Sequence, residues 1–345
     1  MNHPYKNFPA KSFWKNGVQN NFIPAELLSQ PFSEILRRDD KIVSAGSCFA
    51  SNLIPYLESA GYQYLREEVY PSALSDLAEN LGYAKFSARY GFIYTARHLL
   101  QTYKKALGLF ESKENYWTSD SGFIDPYRPG LPFIAETKEE FDAIQAAHFN
   151  AIKMVFHSAT VFIFTLGLTE SWISVDDGSA FPACPGTISG EFDPSRHQFH
   201  NFEYPEVVSD LNEFIGLMRE HNPAIKFIFT VSPVHLVATA ENQHVLLSSI
   251  YSKSVLRSAV QKVVSENAET YYFPAYEIVT GPQTSGRFIA SDLREVTQEG
   301  IDLVMSLFIG ENKTQIAPVA LSKQQTNILE DLVKRECDEA FLDVP

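Results

Sequence analysis

The chain has 345 residues, of which 45% are hydrophobic, so it is long enough to bury a full core as one large domain or two small ones. Its 42 acidic and 28 basic side chains give a formal net charge of −14, which repels phosphate backbones and anionic lipid surfaces and argues against a nucleic-acid partner. The sequence has neither the ~20 consecutive apolar residues of a membrane helix nor the apolar stretch of a signal peptide. We therefore expect one large domain in a soluble, cytoplasmic protein without a membrane partner.

Cysteine and histidine spacing gives little indication of a metal site. Cys48, Cys184 and Cys337 are odd in number and have no Cys-x-x-Cys spacing, which disfavours a disulfide framework and a cysteine-built zinc site. His197 and His200 have His-x-x-His spacing, but in an expected loop without a third ligand they are poor indicators of a metal. The sequence predicts neither a metal nor another cofactor.

The predicted elements follow an N-terminal arm, residues 1–40, in which scattered aromatic residues show no helical or strand period. A short β-branched run predicts a first strand, Gly46 and Ser47 close it with a tight turn, and helical spacing of apolar residues follows. The first predicted elements are a strand at Lys41–Ser44, a helix at Cys48–Ala60, a strand at Tyr62–Leu65 and a helix at Thr95–Leu107.

Helix and buried strand then alternate three times. The first of these helices has a capping box formed by Thr137 and Glu140, and each strand is a continuous apolar run of the kind that is buried on both faces. The pairs are Lys138–His157 with Ala159–Thr165, Pro205–Glu220 with Lys226–Val231, and Gln243–Glu266 with Thr270–Phe273. This order predicts an α/β fold with a parallel sheet and helices on both faces.

The C-terminal part adds two further predicted helices. A loop at Gly281–Arg294 precedes an amphipathic helix at Thr297–Phe308, and a charged helix at Lys323–Phe341 follows a polar stretch. The predicted organisation is an arm at residues 1–40, the main domain at 41–310, and a polar linker with the C-terminal helix at 311–345. A hairpin turn is expected at Asp176-Asp177-Gly178.

Candidate site residues follow the strands, because ligands of open parallel sheets bind outside the carboxyl ends of the strands. A serine in a turn between strand and helix exposes its hydroxyl, and its backbone N–H near the helix start can stabilise an oxyanion. Without further information, however, a serine before a helix is more often an N-cap. The segments in this position are Gly46-Ser47, Gly167–Glu170, Ser232–His235 and Ala275–Glu277.

The segment Gly46-Ser47-Cys48-Phe49-Ala50 spells the motif that names the GSCFA family, and the chain resembles that family over nearly its whole length. Further segments that carry the resemblance are Arg89–Thr95, Thr165–Trp172, Phe181–Thr187, Val231–Val234, Tyr251–Ser254 and Tyr272–Glu277. The family is grouped with the SGNH, or GDSL-like, esterases and acyltransferases. The resemblance therefore implies an SGNH-like three-layer fold with a serine acyl-transfer site.

The resemblance assigns roles to individual residues. Ser47 matches the nucleophile, with its own N–H as one oxyanion donor, and Gly91 matches the glycine that supplies another. Gly167 and Thr169 stand where SGNH enzymes have Gly-x-Asn, so the third donor is reduced to the Thr169 hydroxyl. Glu170, next to Trp172, is a candidate for shaping a pocket for a polar substrate. The oxyanion and substrate-binding candidates are Gly46, Gly91, Gly167, Thr169 and Glu170.

The catalytic base is the main departure from the SGNH pattern. In place of Asp-x-x-His this sequence keeps Asp292 but has Glu295 at the histidine position, and without a base a serine hydroxyl is a poor nucleophile near neutral pH. Three explanations are open. In the first, His244 or His235 replaces the missing histidine, and His244 is favoured because related proteins carry a histidine in the same segment. In the second, Glu295 is the base and burial raises its pKa. In the third, the site binds its ligand without turnover.

Two other residues are lesser candidates. Lys253 could assist as in Ser-Lys enzymes, although a helix lysine is usually solvated. Cys48 follows Ser47 at the helix start, where a thiolate would be stabilised.

The leading hypothesis is a serine esterase or O-acyltransferase that acts through Ser47 on a small-molecule or carbohydrate acyl ester, with acetyl the favoured acyl group. The substrate class depends on fold-level analogy alone. The alternative is a catalytically degenerate SGNH-fold binding or scaffold protein. The sequence leaves open the acyl group, the acceptor, hydrolysis against transfer, and the oligomeric state.

Overall fold

The computed structural model describes residues 3–20, 22–68, 82–83, 85–119, 122–131 and 135–310. The predicted linker and C-terminal helix at 311–345 lie outside these residues, and the division into arm, domain and tail stays a prediction. Within the described residues, no helix is both long enough and apolar enough to cross a bilayer.

The secondary structure follows the predicted alternation. The strands are β1 (Lys41–Gly46), β2 (Gln63–Tyr64), β3 (Trp117–Ser119), β4 (Gly122–Ile124), β5 (Val161–Leu166), β6 (Glu170–Ser174), β7 (Ala180–Phe181), β8 (His197–Asn201), β9 (Lys226–Val231) and β10 (Thr270–Phe273). The α-helices are α1 (Phe32–Ile35), α2 (Cys48–Ser51), α3 (Leu53–Ser59), α4 (Ala96–Ala106), α5 (Lys138–Ser158), α6 (Tyr204–His221), α7 (Val245–Glu266), α8 (Ala275–Thr280) and α9 (Gln298–Ile309).

Five parallel strands form the central sheet in the order β10-β9-β5-β1-β2. The chain moves outward from β1 to β2 and then returns to β5 on the other side of β1, so the strand order reverses between β1 and β5. Their paired residues end at Gly46 and Thr165. Such a reversal leaves a crevice at the carboxyl ends of the two strands, and Ser47 lies at this point.

Helices cover both faces of the sheet and bury two apolar layers. On one face, α4, α5, α6 and α7 pack against side chains of β5 and β9, as Phe156 and Phe214 do against Phe162 (ring centroids 5.0 Å apart in each case). On the other face, Phe32 of α1 contacts Phe273 of β10, beside α3, α8 and α9. The continuous apolar strands are thus buried on both sides, and the predicted three-layer α/β fold is confirmed.

Two predictions of local structure need correction. The helix predicted at Cys48–Ala60 is present but is divided at Asn52 into α2 and α3, because Pro55 has no N–H to donate and its ring would clash with the carbonyl four residues earlier in a continuous helix. The segment His197–Asn201 is a strand paired with β6 rather than a loop. Residues three apart on a strand point to opposite faces, so His197 and His200 cannot share a metal.

Candidate functional site

Ser47 occupies the predicted turn between β1 and α2. It is 4% exposed, and its hydroxyl has no hydrogen-bond partner among the described residues. It is the residue before α2, yet its side chain does not cap that helix. A buried hydroxyl without a partner is costly, so the position is better suited to a group that meets a ligand than to an N-cap.

Gly46 allows the chain to turn sharply before Ser47. Its φ of +148° is one that residues with a side chain rarely adopt, and a Cβ here would lie 2.6 Å from the Thr165 carbonyl oxygen. The backbone of β1 therefore approaches β5 so closely that only glycine fits. This contact fixes Ser47 at the crevice.

We expect Gly46→Ala to lower the free energy of unfolding by about 3 kcal/mol, since it combines backbone strain with a clash against backbone. Chemical denaturation measures this change. Gly178→Ala is the matched control, because Gly178 also has a positive φ (+71°) but open space around its missing Cβ. Equal losses in the two variants would contradict the close approach at Gly46.

Gly167 forms the wall opposite Ser47. A Cβ on Gly167 would lie 3.3 Å from the Ser47 Cβ and 3.2 Å from the Tyr94 ring. The Gly167 N–H donates to the Tyr94 carbonyl (2.9 Å), and the Lys253 ammonium donates to the Gly167 carbonyl (2.5 Å). Lys253 is only 1% exposed, so the expectation that this lysine is solvated is wrong. Its hydrogen bond fixes the backbone of Gly167, the residue that follows β5.

Thr169 is turned toward a neighbouring strand. Its hydroxyl donates to the Asn201 side-chain oxygen (2.6 Å), and its N–H donates to the Ser252 hydroxyl (3.0 Å). Since a hydroxyl has one proton, that proton is engaged away from Ser47. The predicted role of Thr169 as an oxyanion donor therefore has no support from these contacts.

Gly91 lies on a segment that passes the end of β1. It has a φ of +66°, and two residues later the Ile93 N–H donates to the Gly46 carbonyl (2.9 Å). This hydrogen bond holds the segment beside the crevice. The oxyanion role that the resemblance gives to Gly91 stays a prediction.

His235 lines the same cleft as Ser47. The cleft also includes Tyr94 and Gly167 and has a volume of about 10 Å³, roughly the space of one water molecule. His235 is half-buried, and its Nδ1 lies 2.9 Å from the Ser249 hydroxyl. Nε2 is then the ring nitrogen left for exchange of a proton with a group in the cleft.

The electrostatic surroundings keep His235 neutral. Burial lowers the pKa of His235, and the nearby positive charges of Lys253 and Arg294 lower it further. Arg294 is fixed there because its Nε donates to the His235 carbonyl (3.0 Å). A neutral imidazole at pH 7 has the form that a general base requires.

His244 has a different local role. It is exposed and precedes α7, where its Nδ1 accepts the Leu246 N–H (3.1 Å) as a helix cap. It is absent from the described residues that line the cleft at Ser47. Of the two candidate histidines, the structure brings His235 and not His244 to the lining of that cleft.

Asp292 and Glu295 hold their own loop. One Asp292 oxygen accepts the N–H groups of Arg294 and Glu295 (3.0 Å each). Burial raises the pKa of Asp292, but these hydrogen bonds outweigh it and the pKa is lowered overall. The Glu295 side chain is 62% exposed, 3.8 Å from Arg294. The Glu295 carboxylate is therefore not in the buried position that its predicted role as the base requires.

Ser249 and Tyr94 are site residues that the sequence analysis missed. Tyr94 belongs to one of the segments that carry the family resemblance, which was a usable signal. Ser249 offers none, because a serine on a helix has no distinguishing pattern. Among the described residues, no group of three or more His, Cys, Asp and Glu side chains is placed to hold a metal ion.

Comparisons with known proteins agree with the motif. The family model described as the GSCFA family matches residues 41–308. A solved carbohydrate esterase family 3 structure from Talaromyces cellulolyticus has 10% sequence identity and a TM-score of 0.36, covering 85% of this chain and 99% of that chain. A mutant acetyl esterase with an acetate ion has 12% identity and a TM-score of 0.33 over the same shares. No curated protein matches the sequence. The family match spans most of the chain, whereas the two structures are too dissimilar to carry an argument.

Proposed function

The chain belongs to the GSCFA family, and on this premise we propose that it is a serine esterase or O-acyltransferase with Ser47 as the nucleophile and His235 as the general base. One observation carries the proposal. The buried Ser47 hydroxyl, which has no hydrogen-bond partner among the described residues, lines one cleft with a histidine held by its other ring nitrogen. No hydrogen bond joins the two side chains in this structure, so the proposal requires that Nε2 of His235 come within hydrogen-bond distance of the Ser47 hydroxyl when the substrate binds, as catalytic hydrogen bonds commonly do.

The first half of the reaction forms an acyl-enzyme. The Ser47 oxygen attacks the ester carbonyl carbon while its proton passes to Nε2 of His235, which gives a tetrahedral intermediate with a negative oxygen. When the intermediate collapses, the bond between carbon and the leaving oxygen breaks, and His235 returns the proton to that oxygen. In the second half, water or an acceptor hydroxyl gives its proton to His235 and attacks the acyl carbon. The bond between that carbon and the Ser47 oxygen then breaks, and His235 returns the proton to Ser47.

Ser249 takes the place of the aspartate that orients the histidine in a triad. Its hydroxyl accepts the Leu236 N–H (3.3 Å) and, in the proposed tautomer, also the Nδ1–H of His235. A hydroxyl fixes the ring but carries no negative charge to stabilise the imidazolium. We therefore expect a slower enzyme than one with a complete triad, because no aspartate charge stabilises the imidazolium.

A serine-directed fluorophosphonate probe tests the proposal without knowledge of the substrate. We expect stoichiometric labelling of the native wild type, with the labelled peptide containing Ser47, and none in Ser47→Ala. Heat-denatured wild type is the control for non-specific reaction. Absence of labelling in folded wild type would reject the catalytic proposal.

The pH dependence gives a second test. Because the pKa of His235 lies below its ordinary value, we expect kcat/KM to rise with pH through an apparent pKa below about 6.5 and to stay level to about pH 8. Steady-state rates between about pH 4.5 and about pH 8 measure this profile. His235→Gln should remove the acidic limb, and an unchanged limb in that variant would point to another base.

The second candidate is a binding protein that retains the fold without turnover. The observation in its favour is that Asp292 caps its own loop and Glu295 is exposed, while Lys253 and Arg294 disfavour a protonated His235. Binding of an acyl ester without consumption, in protein that no probe labels, would support this candidate.

A further inference from the structure

A second cavity opens beside the cleft at Ser47. Its volume is about 220 Å³, larger than the roughly 150 Å³ of an engineered apolar cavity that binds benzene. Tyr94, Leu168 and Leu236 line both this cavity and the cleft, so the two spaces are neighbours. The apolar lining of the larger one includes Trp172, Phe181, Phe199, Leu236 and Val237.

The polar groups around the apolar cavity are already hydrogen-bonded to the protein. The Thr239 hydroxyl donates to the Glu170 carboxylate (2.7 Å). The Ser171 hydroxyl donates to the Phe181 carbonyl (2.9 Å), and the Thr187 hydroxyl donates to the Cys184 carbonyl (2.7 Å). The Glu170 carboxylate also accepts the Ala240 N–H (3.4 Å). The Cys184 thiol is neutral, because burial raises its pKa to about 11. The hydroxyl protons are thus engaged within the protein, and an apolar chain would leave these contacts intact.

We propose that the apolar cavity binds the acyl chain of the ester, and that the acyl group is an aliphatic chain of about six carbons rather than acetyl. This inference rests on the proposed function, since it assigns the acyl side of the same site. An acetyl group would leave most of the apolar wall in contact with water. Each added methylene that the cavity buries is worth about fourfold in kcat/KM, the change that corresponds to about 0.8 kcal/mol.

Vinyl esters test the chain length, because their leaving group is small and only the acyl chain varies. We expect kcat/KM for vinyl hexanoate to exceed that for vinyl acetate by about 200-fold, since four further methylene groups contribute about fourfold each. Hexyl acetate is the comparison for orientation, since it carries a long chain on the alcohol side. A preference for hexyl acetate over vinyl hexanoate would overturn the acyl assignment.

Filling the cavity tests its location. We expect Ala183→Phe, in the lining, to lower the ratio of hexanoate to acetate kcat/KM by about tenfold or more, through lost space for the chain. Ala146→Phe makes the same change on the exposed face of α5 and should leave the ratio unchanged. Ala238→Leu, on a different segment of the lining, is the second variant if Ala183→Phe does not fold.

The outcomes separate this inference from the proposed function. If vinyl acetate is consumed as fast as vinyl hexanoate, or if the filled variants lose both activities equally, the acyl cavity is rejected while Ser47-dependent hydrolysis stands. If no ester is consumed and no probe reacts, the proposed function fails. The cavity is then tested by hexanamide binding to Ser47→Ala, measured calorimetrically, and absence of binding or equal binding to the double variant with Ala183→Phe would reject it.

Discussion

Ser47→Ala is expected to lower kcat/KM by about 10⁴-fold or more for any ester that the wild type consumes, because it removes the atom that forms the acyl-enzyme. The methyl group of alanine fits where the Ser47 Cβ lies beside Gly167, so folding should be unaffected. Initial rates with vinyl esters, together with the thermal midpoint of each protein, measure the two effects.

Cys48→Ala is the matched control for this prediction, because Cys48 adjoins Ser47 and lines the same cleft. A serine nucleophile predicts that Cys48→Ala retains most of the activity. The opposite pattern, with activity lost in Cys48→Ala and kept in Ser47→Ala, would transfer the nucleophile to the thiol and contradict the proposed function.

Replacement of His235 is expected to have the second largest effect. His235→Ala should lower kcat/KM by about 10³-fold, within the range that a general base contributes, because no other group is proposed to take the Ser47 proton. The acylation rate with a fluorophosphonate probe is the direct measurement, since that step needs the base and does not depend on substrate identity.

His244→Ala separates the two histidines that the sequence left open. His244 caps α7 by accepting the Leu246 N–H, so its loss should reduce stability by about 1 kcal/mol and leave the acylation rate within about threefold of wild type. If His244→Ala is the slow variant and His235→Ala is not, the assignment of the base is wrong.

Ser249 is the residue that the proposed mechanism uses to orient His235. Its hydroxyl accepts the Leu236 N–H and contacts the His235 ring, so it fixes both the loop and the imidazole. In the proposed mechanism this contact takes the place of one from Asp292, whose carboxylate accepts hydrogen bonds from its own loop. The proposed orienting group therefore lies on α7 and not on the loop after α8.

The sequence by itself determined the layers of this protein and the position of its serine. The continuous apolar runs of β5 and β9 predict strands that are buried on both faces, and this pattern can be read from each strand without knowledge of its neighbours. Ser47 follows from the same kind of local information, because a Gly-Ser turn after a β-branched run must stand at a carboxyl end. Pro55, which divides the expected helix at Asn52, is a local signal that was overlooked.

The tertiary structure decided which side chains meet at that serine. His235, Ser249 and Lys253 lie on a loop and a helix far from Ser47 in the chain, and the periodicity of each element says nothing about which neighbour it faces. The loop after β9 has no hydrophobic period, so its path depends on packing between distant segments. That path places His235 in the lining of the cleft and His244 at the start of α7. The apolar cavity arises for the same reason, because its walls come from β6, β8 and this loop together.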